Sequence, residues 1–329
     1  MMVMAAGVAQ GGEVQKEKDA DSGYEVLVAK QGNTTVRLVP AAGCNAYSIN
    51  YAGTELLKTP KTLKELPGFL YGNPVLYPTP NRVREAKFTF QGTEYKFTAN
   101  NDSNFLHGLV HNVPWEVVDT SSGEDHATIR CRYKFEPGSE TFKLFPHQHA
   151  IELTTKVTDN GVRFSYTVDN SQGDKPVPFG MAYHPWFLYQ GSRKETYLTV
   201  PATHLMEAET LLPTGKLLEL TGTKYDARTP ISLEGFVIDD VYFGMQPAQP
   251  AVIDFREKKL KITLHASEDF THMVVYTPKD EPWFCVENQT CSTDAHNFFA
   301  KGLEKQAHLI ILEPGKTFSG HAAFEFSKY

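Results

Sequence analysis

The sequence predicts an all-β fold, a large single-domain antiparallel β-sandwich, on three observations. Apolar and polar residues alternate with period two through much of the chain beyond Tyr24, the pattern of strands with one face buried and one solvated. Its 24 glycines and 20 prolines supply the turns that a many-stranded protein needs. Amphipathic helical periodicity is scarce.

Taken in order, Met1 to Gly12 is small and apolar, with Gly7-Val8-Ala9 loosely resembling a cleavage site but no basic stretch before it. Glu13 to Ser22 is polar and without periodicity. Residues 1–23 are therefore expected to be a flexible leader or the remnant of an export signal. A cytoplasmic location is favoured, and export is the alternative. Residues 24–329 are expected to form one domain, because no shift in composition marks a boundary. Thr62–Leu66 and Asn297–Lys305 are the short helix candidates. Lys87–Phe97 reads as two strands around Gln91-Gly92, a hairpin signal. Ala127–Phe135 places Ala, Ile, Cys, Tyr and Phe on one face and Thr, Arg, Arg and Lys on the other. Val162–Val168 and Leu260–Leu264 alternate in the same way.

Several function classes are unsupported. The net charge is −7 and no basic stripe is visible, so a nucleic-acid partner is not expected. No apolar run reaches the length of a membrane span, so no membrane partner is expected either. Cys44, Cys131, Cys285 and Cys291 are scattered, with no CxxC pair to suggest a zinc or redox site. Nucleophile-elbow, phosphate-loop and dinucleotide fingerprints are missing. His147-Gln-His149 invites a metal test, since residues two apart on a strand share a face. A cupin places its glutamate four or five residues after the second histidine, whereas Glu152 follows His149 by three. An ordinary histidine pair at a strand edge is the expectation, and no metal ligand is assigned.

Four segments mix polar groups with Pro, Gly or aromatics: Pro80-Asn81-Arg82-Val83, Asn104-Phe-Leu-His107-Gly108, Tyr183-His184-Pro185-Trp186-Phe187 and Phe284-Cys285-Val286-Glu287-Asn288. A single histidine or glutamate of this kind is an ordinary structural residue. In this order, however, the four together resemble the aldose 1-epimerase (galactose mutarotase) family, over about Thr35 to Glu325. The connecting stretches Gly108–Trp115, Asp169–Pro178 and His272–Pro278 resemble the family as well.

The resemblance implies the family's β-supersandwich, a free aldohexose such as galactose or glucose as substrate, and interconversion of its α and β anomers. It implies Glu287 as the base at the C1 hydroxyl and His184 as the acid at the ring oxygen. His107 would polarise and position the sugar. Arg82, assisted by Asn81, would hold its hydroxyls, with the guanidinium fork fixing orientation. The segment Ile238-Asp239-Asp240-Val241-Tyr242 matches the family's sugar-binding aspartate. Asp239 fits the spacing best and Asp240 stays open, since neighbours on a strand face opposite ways. Opening and reclosing a pyranose ring needs groups that both give and take a proton, which histidine does natively and glutamate does when burial raises its pKa. No metal or organic cofactor is expected, and the partner is a small sugar, with the protein a monomer or homodimer.

The sequence departs from the family at two points. Pro278–Trp283 is too short for the insertion that gives better-known members a sugar-binding glutamine, and no glutamine aligns there. Trp186 also stands where tyrosine is usual. A phosphosugar epimerase is the nearest alternative, but Arg82 and Arg84 alone make no cluster for a dianion. A non-catalytic carbohydrate-binding protein would need no acid–base pair.

Overall fold

A computed structural model describes residues 11–329, so residues 1–10 of the expected leader lie outside the described residues. The rest of that expectation is corrected. Glu13–Lys18 is a strand, paired antiparallel with Glu25–Gln31 from Glu13 opposite Lys30 to Lys18 opposite Glu25. It opens a five-stranded meander that runs in chain order to Thr54–Glu55. Most of this first strand is exposed. An edge strand gains little from burying one face, so its sequence need not alternate, and its charges discourage further pairing.

Two larger antiparallel sheets carry the fold. The nine-stranded sheet runs in spatial order Glu116–Ser122, Ala127–Phe135, His149–Thr158, Gly161–Asp169, Thr317–Lys328, Leu260–Ala266, Ala251–Phe255, Thr196–Thr199 and Ile231–Ser232. The alternation read from the sequence holds, with Ile129, Cys131 and Phe135 buried from one strand and Val162, Phe164, Tyr166 and Val168 from another. The eight-stranded sheet runs Leu212–Glu219, His204–Glu209, Asp239–Phe243, His272–Tyr276, Trp283–Gln289, Ala182–Tyr183 and Val75–Leu76, with Trp186–Leu188 also paired to Trp283–Gln289.

Side chains from the two sheets meet in one core. Phe164 lies 5.4 Å from Tyr183, and Phe255 lies 6.3 Å from Phe284, ring centre to ring centre. The expected hairpin is present as Lys87–Phe90 and Thr93–Lys96. Gln91 and Gly92 both have positive φ, 47° and 78°, which matches the right-handed twist of the strands they join. The helix candidates shrink. One is a single 3-10 turn over Leu63–Glu65, capped by Thr62. The other divides into Ala295–Ala300 and Glu304–Ala307 around Gly302, whose φ is 75°. Among the described residues no helix is long and apolar enough to cross a membrane.

The His147/His149 pair lies at the start of the strand His149–Thr158. Both rings are buried. His149 Nε2 lies 2.7 Å from the Tyr77 hydroxyl, and His147 Nε2 lies 2.8 Å from that of Tyr95. Glu152 is committed elsewhere, accepting from Arg132 at 2.8 Å. The two imidazoles thus complete buried hydrogen bonds within an aromatic cluster, which is how polar groups survive in a core.

Candidate active site

The strand Trp283–Gln289 is buried along its whole length, although only alternate residues can face the core. Phe284 and Val286 face inward and are fully buried. Trp283, Cys285, Glu287 and Gln289 share the opposite face, and that face carries the site.

Cross-strand register sets the central contact. Ala182 pairs with Gln289, and Trp186 pairs with Cys285. Continuing that ladder across the break at Pro185 puts His184 opposite Glu287. His184 Nε2 lies 3.4 Å from Glu287 Oε1, with both side chains almost wholly buried. Burial pushes the Glu287 carboxyl well above its ordinary value. Burial likewise pulls the His184 imidazole down to about 3. Low dielectric disfavours the charge on each group. Glu287 Oε2 accepts a hydrogen bond of 3.0 Å from the Gln289 side-chain amide.

His107 arrives from a different segment. Its ring centre is 5.0 Å from that of His184, edge to face. A two-residue pairing of Phe105–Leu106 with Arg82–Val83 ties the two loops together, and the His107 N–H donates to the Asn81 carbonyl at 2.9 Å. His107 has φ 70° and Asn81 has φ 56°. Left-handed backbone is uncommon outside glycine, and asparagine and histidine are among the residues that adopt it most readily. Gly108 follows at φ 73°, and a Cβ there would lie 2.4 Å from the Tyr77 carbonyl oxygen, so only glycine fits the turn that presents His107. Burial, then the neighbouring His184, holds the His107 imidazole well below its ordinary value. Nδ1 of both His107 and His184 is buried without a hydrogen-bond partner among the described residues.

Arg82 is oriented by two asparagines, donating from Nε to Asn101 at 2.9 Å and from Nη1 to Asn81 at 3.1 Å. Asn81, Arg82, Asp239 and Asp240 border one small cavity. The register separates the aspartates: Asp239 pairs with Tyr276, and Tyr276 with Cys285, so Asp239 shares the face of Cys285 and Glu287. Asp240 pairs with Val275 and Val275 with fully buried Val286, on the other face. Burial raises the Asp239 carboxyl, and the Arg82 charge pulls it back.

All seven residues singled out in the sequence therefore fall at this end of the eight-stranded sheet, with Asp240 turned from the Glu287 face. Sequence reading missed others. Gln289 lies two residues beyond Glu287, a period-two signal that was available. The loop Pro67–Gly72 overhangs the site. Phe69 packs edge-on against His107 at 4.6 Å, and its carbonyl accepts from Trp186 Nε1 at 2.6 Å. The Trp186 ring stacks on His184, 4.9 Å between centres and 12° between planes. His184, Cys285 and Glu287 offer one potential ligand atom each, all within 4.8 Å of one another.

The family model for aldose 1-epimerase matches residues 25–325. Human galactose mutarotase is 25% identical over 236 residues, which cover 68% of this chain and 66% of the human protein. The rat galactose mutarotase is 24% identical over 300 residues, covering 80% and 82% respectively. The match to the human protein thus spans just under two thirds of that relative's length. A solved galactose mutarotase-like protein from Clostridium acetobutylicum superposes with TM-score 0.87 at 20% identity, over 97% of this chain and 99% of the other. The galactose 1-epimerase from Lactobacillus acidophilus superposes with TM-score 0.76 at 14% identity, over 96% and 98%. The fold is thus galactose mutarotase-like, and with the family model spanning nearly the whole chain, this protein belongs to the aldose 1-epimerase family.

Proposed function

We propose that the protein is an aldose 1-epimerase that interconverts the α and β anomers of free aldohexoses such as galactose or glucose. The observation that carries this reading is the buried contact of 3.4 Å between Glu287 and His184.

In the forward direction the Glu287 carboxylate takes the proton of the C1 hydroxyl. As the C1 carbonyl forms, the bond from C1 to the ring oxygen breaks, and His184 gives that oxygen a proton. The open aldehyde turns about the C1–C2 bond, and reclosure on the other face runs the same transfers in reverse. The pair holds one proton before and after, so a single shared proton serves both directions. Burial strengthens both partners for these roles. It makes the carboxylate a better proton acceptor, and it makes the imidazolium a better donor. Gln289 steadies the carboxylate. His107 positions the sugar beside the reacting atoms, while Arg82, Asn81 and Asp239 hold its hydroxyls.

Polarimetry on freshly dissolved α-D-galactose and α-D-glucose tests the assignment. The purified protein is expected to speed the drift to the equilibrium rotation, and to act more slowly on glucose 6-phosphate. Unaltered mutarotation of both free sugars would overturn it. Calorimetric sugar binding without rate enhancement would instead identify a carbohydrate-binding protein.

A further inference from the structure

His184 has an unusual support. A histidine that moves protons is commonly fixed through its second ring nitrogen, yet His184 Nδ1 has no partner among the described residues. The ring is held by packing, flat against Trp186 on one side and edge-on to His107 on another. Whatever fixes Trp186 therefore fixes the plane in which His184 Nε2 meets Glu287.

Trp186 is fixed by its Nε1 bond to the Phe69 carbonyl and by a cation. The Lys58 ammonium lies 4.7 Å from the centre of the Trp186 ring, 4.7 Å from Trp283 and 4.9 Å from Tyr71. Trp283 packs against Trp186 at 4.5 Å and 70°. No carboxylate forms an ion pair with Lys58 among the described residues, and burial lowers its pKa against the smaller opposing pull of Glu281 and Cys285. Three ring faces thus stand in for the water that the half-buried ammonium gives up. The backbone is drawn in as well: Lys58 N–H donates to the Trp186 carbonyl at 2.8 Å, and Gly72 N–H donates to the Lys58 carbonyl at 2.9 Å. The cation thereby joins the overhanging loop, through Tyr71, to the strand that follows His184 and the strand that carries Glu287.

We propose that Lys58 is a positioning residue, whose ammonium clamps Trp186, Trp283 and Tyr71 together and so holds the His184 imidazole in line with Glu287. The inference rests on the mutarotase reading and adds to it a residue that acts through the Trp186 ring. Replacing Lys58 by methionine keeps the stem and removes the charge, and Lys58→Arg restores a cation that stacks on aromatic rings.

The experiment compares wild type, Lys58→Met, Lys58→Gln and Lys58→Arg by mutarotation kinetics and by NMR of the His184 ring protons. In both neutral variants kcat is expected to fall about 10- to 100-fold, the scale of a small misplacement of a catalytic group. KM should stay near the wild-type value, since a uniform binding contact is not being removed. The His184 ring resonances should shift and broaden in the neutral variants, and Lys58→Arg should recover most of both signals. Wild-type kcat in Lys58→Met or Lys58→Gln would overturn the inference. So would a raised KM with unchanged kcat, because Lys58 would then touch the sugar. Should wild type not catalyse mutarotation, the parent reading falls and the NMR arm decides alone. Unchanged His184 resonances in the neutral variants would overturn the clamp, and a shift reversed by arginine would uphold it.

Discussion

Asp239 and Asp240 are one position apart and on opposite faces of the same sheet, and that difference sorts their roles. Asp239 shares its face with Cys285 and Glu287, and Arg82 acts on its charge. Asp240 responds chiefly to burial, Asp239 and Lys224. Losing a hydrogen bond made by a charged group costs about 1.5–3 kcal/mol. Steady-state kinetics of Asp239→Ala should therefore show KM raised by about one to two orders of magnitude, with kcat much less affected. Asp240→Ala should stay within about twofold of wild type on both, and equal defects in the two variants would count against the register argument. At this scale the sequence was informative about identity but not about opposition. Glu287 and His184 were visible as residue types in recognisable segments. Their contact depends on a ladder that is interrupted at Pro185, and no local pattern encodes which residues face each other across it. Lys58 was not visible at all, because its partners Tyr71, Trp186 and Trp283 come from three separate stretches of chain.

At the scale of one element, the strand Trp283–Gln289 divides its work by parity. Its inward residues pack the core, and its outward residues make the site. Substituting Val286, which is fully buried, by alanine should lower unfolding free energy by about 2 kcal/mol. Denaturant titration reads that loss, and kcat of the folded variant should remain close to wild type. A large kcat defect at unchanged stability would mean that the two faces are not independent. Alternation made strands such as Ala127–Phe135 and Gly161–Asp169 readable, because each buries one face and wets the other. It failed for Glu13–Lys18, an exposed edge with little to bury. It also failed for the loop Pro67–Gly72, whose Phe69 and Tyr71 act through contacts with distant segments rather than through any local period.

Across the whole molecule, buried neutral histidines set the response to acid. Burial pulls His147 and His296 to about 4 and His149 and His272 to about 3. His107, His111 and His184 are lowered too, each chiefly by burial. A histidine whose folded pKa lies below its unfolded value of 6.5 binds its proton first in the unfolded chain. Its contribution to stability is therefore full above pH 6.5 and falls as pH drops from there through the folded value. Raised carboxyls at Glu55, Asp239, Asp240, Glu287 and Asp294 act the other way, favouring the folded state as pH falls. The seven histidines outnumber these five acids. Urea unfolding should accordingly show stability lower at pH 5 than at pH 7 by more than about 2 kcal/mol. A flat or rising profile over that interval would show that the histidines are not held neutral.

The central claim is that proton transfer between the sugar and the Glu287–His184 pair is what the site does. Polarimetric mutarotation by Glu287→Gln tests it most directly, because the substitution keeps shape and hydrogen bonding while removing the base. The rate enhancement over buffer should fall at least about 100-fold, with the unfolding midpoint preserved. A folded Glu287→Gln variant that turns over at the wild-type rate would contradict the account.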